Sequence, residues 1–254
     1  EFLATKNTLP TYAGPELDHA DIHPLLHDWQ NSITRWAAHT GRAALFADCG
    51  LGKTLMQLEW ARTVADTSLI IAPLSVARQT VREAAKIDID ISYVRTADDI
   101  DRPGIWITNY EMVDGFDPAA FDAVVLDESS ILKNHTGMTR TRLIDQWAGT
   151  HYRLCCTATP APNDVTELCN HAEFLGVMPR NEMLAAYFVH DQDGWRLKGH
   201  AVDPMYKWMT SWAVAIRKPS DLGYPDTGYD LPPLNIHGQI VRVETTPNTG
   251  QLFA

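Results

Sequence analysis

The sequence predicts a doubly wound α/β fold, a mostly parallel central sheet flanked by helices, and three observations carry that expectation. Short apolar runs alternate with amphipathic stretches from about residue 24 to 175. A turn ending in Gly50-Leu51-Gly52-Lys53-Thr54 joins one such run to one such stretch. Two later runs lead into Asp127-Glu128 and Thr157-Ala158-Thr159-Pro160, so they bring polar clusters to the carboxyl ends of strands, where such sheets bind ligands.

The elements follow in order. The first twenty residues, with Pro10, Gly14 and Pro15, read as an irregular lead-in, and Pro24 to His39 as a helix. Ala43 to Ala47 is apolar throughout, as a strand covered on both faces must be. Leu55, Leu58, Glu59 and Arg62 give Lys53 to Ala65 an amphipathic helical pattern. Strands are then expected at Leu69 to Ala72, Ile91 to Val94, Ile105 to Thr108, Ala123 to Leu126 and Leu154 to Cys156. Helices are expected at Ser75 to Lys86 and Thr139 to Trp147. Beyond 176, Tyr187, Phe188, Trp195, Tyr206, Trp208 and Trp212 gather among Arg180, Arg196, Lys198, Lys207, Arg217 and Lys218. Aromatics among bases can stack on nucleotides; the helical spacing of Tyr206, Trp208, Met209 and Trp212 favours a packed helical core instead. The expected organisation is a lead-in at 1–20, the α/β unit at 21–175, a small C-terminal helical extension at 176–218 and a Pro/Gly-rich linker at 219–254.

Composition narrows the function. The net charge of −11 argues against a protein that coats nucleic acid through overall charge, though a local basic groove remains open. Four cysteines without CxxC spacing read as reduced, mostly buried thiols. His135, His171 and His200 lack paired ligand spacing and read as incidental. No apolar run approaches a bilayer span and the N-terminus lacks a signal-peptide pattern, which points to a cytoplasmic protein with no membrane partner.

The chemistry sits in three segments. The Gly50 to Thr54 turn is a phosphate cradle: backbone N–H groups of Gly50 and Gly52 and the following helix N-terminus face the phosphates of ATP. Lys53 adds a point charge and the Thr54 hydroxyl can ligate Mg²⁺. Ala47 stands where the usual pattern has its first glycine. Val124-Val125-Leu126 delivers Asp127, which would hold Mg²⁺, and Glu128, which would orient and deprotonate an attacking water; an Asp-Glu pair also caps helices. Thr157 and Thr159 could bond to Glu128 and sense the γ-phosphate, or form an ordinary Thr/Pro turn.

Taken in order, Gln30, Asp48-Cys49-Gly50-Leu51-Gly52-Lys53-Thr54, Ala72-Pro73-Leu74-Ser75, Thr108-Asn109-Tyr110, Asp127-Glu128-Ser129-Ser130 and Thr157-Ala158-Thr159-Pro160 resemble the first RecA-like domain of superfamily-two helicases. Leu132-Lys133-Asn134, Pro162-Asn163-Asp164, Ile216-Arg217-Lys218-Pro219-Ser220-Asp221 and Leu231-Pro232-Pro233 are most similar to the Swi/Snf-type DNA translocases, with a narrower likeness to phage helicases of that type. The resemblance spans about residues 24 to 253, where Ile240 to Val243 and Gln251 to Phe253 fit the approach to a second RecA-like domain. It implies that Gln30 reads the adenine edge, and that Pro73, Ser75, Thr108, Asn109, Tyr110, Lys133 and Asn134 lie on the nucleic-acid side. It also implies an ATP- and Mg²⁺-dependent, DNA-dependent ATPase acting on double-stranded DNA with a second RecA-like lobe. Ser129-Ser130 replaces the usual Ala-His, and no Gln-x-x-Gly-Arg-x-x-Arg segment supplies arginine fingers, so half a motor is expected, with slow turnover alone. The rival expectations are a nucleotide-sensing scaffold of a nuclease or methyltransferase complex and, on weaker grounds, a P-loop small-molecule kinase.

Overall fold

The computed structural model describes residues 14–133, 137–192, 194–229 and 238. Asn134, Leu231-Pro232-Pro233, Ile240 to Val243 and Gln251 to Phe253, together with most of the lead-in, lie outside the described residues.

Apolar runs become strands wherever they were expected: β1 (Arg42–Ala47), β2 (Thr67–Ala72), β3 (Ile91–Tyr93), β4 (Gly104–Asn109), β5 (Ala123–Asp127) and β6 (Tyr152–Thr157). The helices between them are α1 (Asp28–Thr40), α2 (Lys53–Val64), α3 (Leu74–Ala84) and α4 (Met138–Gln146). Among the described residues the main sheet has seven strands in the order β3-β4-β2-β5-β6-β1, closed by β9 (Ala213–Ile216) at the edge, and every pairing in it is parallel. Parallel pairing leaves no strand face in water, so β1, β5 and most of β2 and β6 are buried from end to end. Two cores result. On one face Met56, Leu58 and Trp60 of α2 pack with Leu45, Ile70 and Val125; on the other Phe46, Ile71 and Leu126 pack with Trp147, Phe174 and Trp212.

The aromatic-basic stretch holds more than the helical extension that its spacing predicts. After α5 (Leu168–Phe174), helices α6 (Arg180–Tyr187) and α7 (Val202–Met209) are joined by a hairpin of β7 (Phe188–Asp191) and β8 (Gly194–Leu197), and the chain then returns to the main sheet as β9. Met205, Trp208, Met209 and Trp212 belong to the same core as Phe46 and Leu126, so the packed-core reading of their spacing is the one realised. Cys155, Cys156 and Cys169 are buried and Cys49 is exposed. No helix among the described residues is long and apolar enough to cross a membrane.

Candidate active site

The carboxyl ends of β1, β5 and β6 are neighbours in the sheet, which brings three distant segments together. β5 pairs Asp127 with Cys156 of β6, and β6 pairs Thr157 with Phe46 of β1. From β1 the chain enters the glycine turn. Gly50 (φ 82°) and Gly52 (φ 70°) take left-handed conformations that a side chain disfavours. A Cβ on Gly52 would come within 2.4 Å of Gln30 Nε2, so the turn is braced from behind by α1. Gly50 faces open space, as a concavity for phosphate requires. Lys53 opens α2 and its Nζ donates to the Ala47 carbonyl at 2.8 Å and the Asp48 carbonyl at 3.3 Å, which holds the ammonium over the cradle.

Gln30 is buried. Its Nε2 donates to the Leu51 carbonyl at 3.0 Å and its Oε1 accepts the His27 N–H at 2.9 Å. Its amide thus fastens the phosphate turn to the start of α1.

Asp127 ends β5 almost fully buried, and burial pushes its carboxyl pKa up; the Gln57 amide and the Glu128 N–H act in the opposite direction, while the Glu128 charge adds to the rise. Asp127 Oδ1 accepts the Glu128 N–H at 3.1 Å. Glu128 itself adopts φ 54°, a left-handed conformation uncommon for a residue with a side chain, which turns its carboxylate out of the strand line. Glu128 Oε2 accepts the Thr157 hydroxyl at 3.3 Å, and Thr157 Oγ1 accepts the Thr159 N–H at 3.1 Å, so the third segment is linked to the second. The hydroxyl of Thr54 and the carboxylate of Asp127 are oxygen donors of the kind that could hold a hard divalent cation such as Mg²⁺. A buried carboxylate beside the lysine of a phosphate cradle fits that ion and a triphosphate together.

The residues expected on the nucleic-acid side divide in two. Ser75 and Lys133 are exposed, and Pro73 is half-buried at the start of α3 beside the exposed Leu74. Thr108, Asn109 and Tyr110 are buried, and their side chains do not offer a surface contact. Asn109 accepts the Tyr93 hydroxyl and donates to Glu111. Tyr110 donates its hydroxyl to the Asp127 carbonyl at 2.7 Å, bracing the acidic segment from below, and burial raises its pKa well above the ordinary value. Burial of these side chains leaves the backbone as the part of this segment that could meet nucleic acid; Asn109 and Tyr110 have inward partners, while the buried Thr108 hydroxyl has none among the described residues.

Two further groups were not foreseen. His171 on α5 is fully buried as a satisfied core histidine, bonding through Nε2 to Ser129 Oγ at 3.2 Å and meeting the Phe46 ring edge to face. Gln57 on α2 is fully buried beside Asp127. A polar residue on the inner face of the helix after the glycine turn was the available signal for Gln57.

The model of the SNF2-related domain family matches residues 23–188. No curated protein sequence matches the chain. Among solved structures, the Sulfolobus solfataricus SWI2/SNF2 ATPase core in complex with dsDNA is similar at 20% identity and a TM-score of 0.67, covering 80% of this chain and 47% of that one. The UvsW helicase from bacteriophage T4 matches at 16% identity and a TM-score of 0.49, over 70% of this chain and 64% of that one. The chain thus spans about half the length of the Sulfolobus core it resembles.

Proposed function

This chain belongs to the SNF2-related domain family, and from that premise we propose that it is the ATP-binding first lobe of a DNA-dependent motor ATPase. The observation that carries the reading is the convergence of Lys53, Asp127, Glu128 and Thr157 at one end of a parallel sheet. Lys53 exchanges the Ala47 and Asp48 carbonyls for the β- and γ-phosphates, a better partner for an ammonium. A Mg²⁺ ion, held by Thr54 and Asp127, would neutralise charge on those phosphates. Glu128 orients a water for in-line attack on the γ-phosphorus and takes its proton, while Thr157 and Thr159 hold that carboxylate and register whether the γ-phosphate is present. Gln30 ties adenine recognition to the phosphate turn through the Leu51 carbonyl. Double-stranded DNA lies along Pro73, Ser75 and Lys133, and a second RecA-like lobe supplies the arginines that complete turnover. Asn134, which lies outside the described residues, is a further candidate for the same contact.

The test separates binding from hydrolysis. Lys53→Ala removes the charge at the cradle and is expected to weaken ATP binding by tenfold or more, roughly the 1.5–3 kcal/mol of a charge-assisted hydrogen bond. Glu128→Gln retains ATP binding and loses turnover by about 10²-fold or more in a form that carries both lobes. Unchanged nucleotide affinity in the first variant sinks the site. Binding in the wild type with no DNA-stimulated turnover in the two-lobed form would favour the nucleotide-sensing scaffold.

A further inference from the structure

Gln57 plays no part in the mechanism above, and its surroundings give it no structural one. It follows Thr54 by three residues on α2, hence one turn along nearly the same face of the helix, over β5. It is fully buried, and neither Oε1 nor Nε2 has a hydrogen-bond partner. An amide buried in that way is unfavourable, and a leucine or methionine would fill the space without the penalty. Its neighbours on the helix, Met56 and Leu58, are apolar core residues, so the position is not polar by default. The amide lies beside the Asp127 carboxylate, yet the two do not reach the geometry of a completed hydrogen bond.

We propose that Gln57 is a positioning residue for the divalent cation, its amide N–H turning the buried Asp127 carboxylate toward the Thr54 hydroxyl. The inference rests on the nucleotide-site reading above and adds a residue to it. An amide suits this work because it donates without charge: a lysine or arginine in its place would compete with the cation for the same carboxylate. The unmet donor is then completed when the nucleotide and its metal draw Asp127 and α2 together, and partners of this kind commonly set metal affinity through the orientation of the ligand.

The experiment measures binding alone. The affinity of the 254-residue chain for a fluorescent ATP analogue is followed in EDTA and then across a Mg²⁺ titration, for wild type, Gln57→Leu and Gln57→Asn. Gln57→Leu is expected to bind as wild type does in EDTA, to need roughly tenfold more Mg²⁺ for the same gain in affinity, and to unfold in urea at or above the wild-type midpoint. Gln57→Asn keeps a donor on a shorter arm and falls between the two. A merely structural role would move the unfolding midpoint and the EDTA affinity and leave the Mg²⁺ dependence alone. A Mg²⁺ midpoint for Gln57→Leu that matches the wild type overturns the assignment; should that variant not fold, Gln57→Met makes the same comparison with a more adaptable side chain. Failure of the wild type to bind the analogue at all, in EDTA or Mg²⁺, would instead bring down the nucleotide site and this assignment together.

Discussion

At the scale of single residues, the consequential choice is a neutral imidazole under the acidic segment. His171 is enclosed by α5 and β1, where burial lowers its pKa to about 4 against an unfolded value of 6.5. Its ring nitrogens reach Ser129 Oγ and the Glu167 carbonyl. Since the folded pKa is depressed, the unfolded chain binds the extra proton first as pH falls. The stability contribution of the neutral ring is therefore complete above about pH 6.5 and declines as pH drops toward 4. At pH 5 the loss amounts to about 2 kcal/mol. Asp127, whose pKa is raised in the fold by burial, has the opposite sign: protonation relieves its burial, so its contribution grows as pH falls through that raised value. Urea unfolding at pH 7 and pH 5 checks the prediction in wild type and His171→Gln, which keeps a polar partner for Ser129 and cannot titrate. The variant's pH slope should be shallower by that amount; equal slopes would remove His171 from the account.

At the scale of elements, the strand β9 ties the aromatic-basic stretch to the phosphate turn. It pairs with β1 from Ala44 to Ala47, the Asp48 N–H donates to the Ile216 carbonyl at 3.0 Å, and the Ala44 N–H donates to the Trp212 carbonyl at 2.8 Å. Trp212 is among the largest fully buried side chains and stacks edgewise on Phe46 and Trp208. Trp212→Ala should thus cost about 3–5 kcal/mol and weaken nucleotide binding with it, since β1 leads directly into Gly50 and Gly52; urea unfolding followed by both tryptophan fluorescence and nucleotide affinity reports the two losses together. A variant that unfolds this stretch alone, leaving ATP affinity intact, would show that β9 is an appendage. The strands β1 to β6 were legible in sequence because parallel strands must be apolar over their whole length, and the glycine turn because its chemistry is local. β9 was not, although Ala213-Val214-Ala215-Ile216 is apolar throughout, because this short run follows directly on the helical spacing of Tyr206 to Trp212 and merges with it. Helix α5 was hidden for the converse reason: Asn170 and His171 look like surface residues until their partners, the Leu132 carbonyl and Ser129, arrive from far along the chain. The inward turn of Thr108 to Tyr110 and the burial of Gln57 are likewise tertiary facts that no local pattern contains.

At the scale of the whole molecule, net charge decides how DNA would be held. A chain of −11 repels a polyanion at a distance, so association on the proposed face must rest on a few close contacts rather than on a broad positive field. The residues left to make them are few, because Thr108, Asn109 and Tyr110 are buried, and Ser75 with the N-terminus of α3 offers neutral donors. Lys133 is an exposed cation among the described residues, at the end of the 3-10 turn Ser129–Lys133 that begins under the acidic segment, and the Asn170 amide anchors that turn through the Leu132 carbonyl at 2.7 Å. A phosphate bound by Lys133 would therefore pull on the same short segment that carries Ser129 and follows Glu128, so the proposed DNA face would be joined to the proposed catalytic carboxylate through five residues of one turn. Each cation on a phosphate contributes about 0.9 to the slope of log affinity against log salt on duplex DNA. The wild type should show a small slope for a DNA-binding protein, and Lys133→Ala should reduce it by about 1 while weakening binding equally across sequences. Fluorescence anisotropy with two unrelated duplexes at four salt concentrations measures both quantities. An unchanged slope in Lys133→Ala would place the DNA on another face, and a sequence-dependent loss would mean that Lys133 reads a base edge instead of a phosphate.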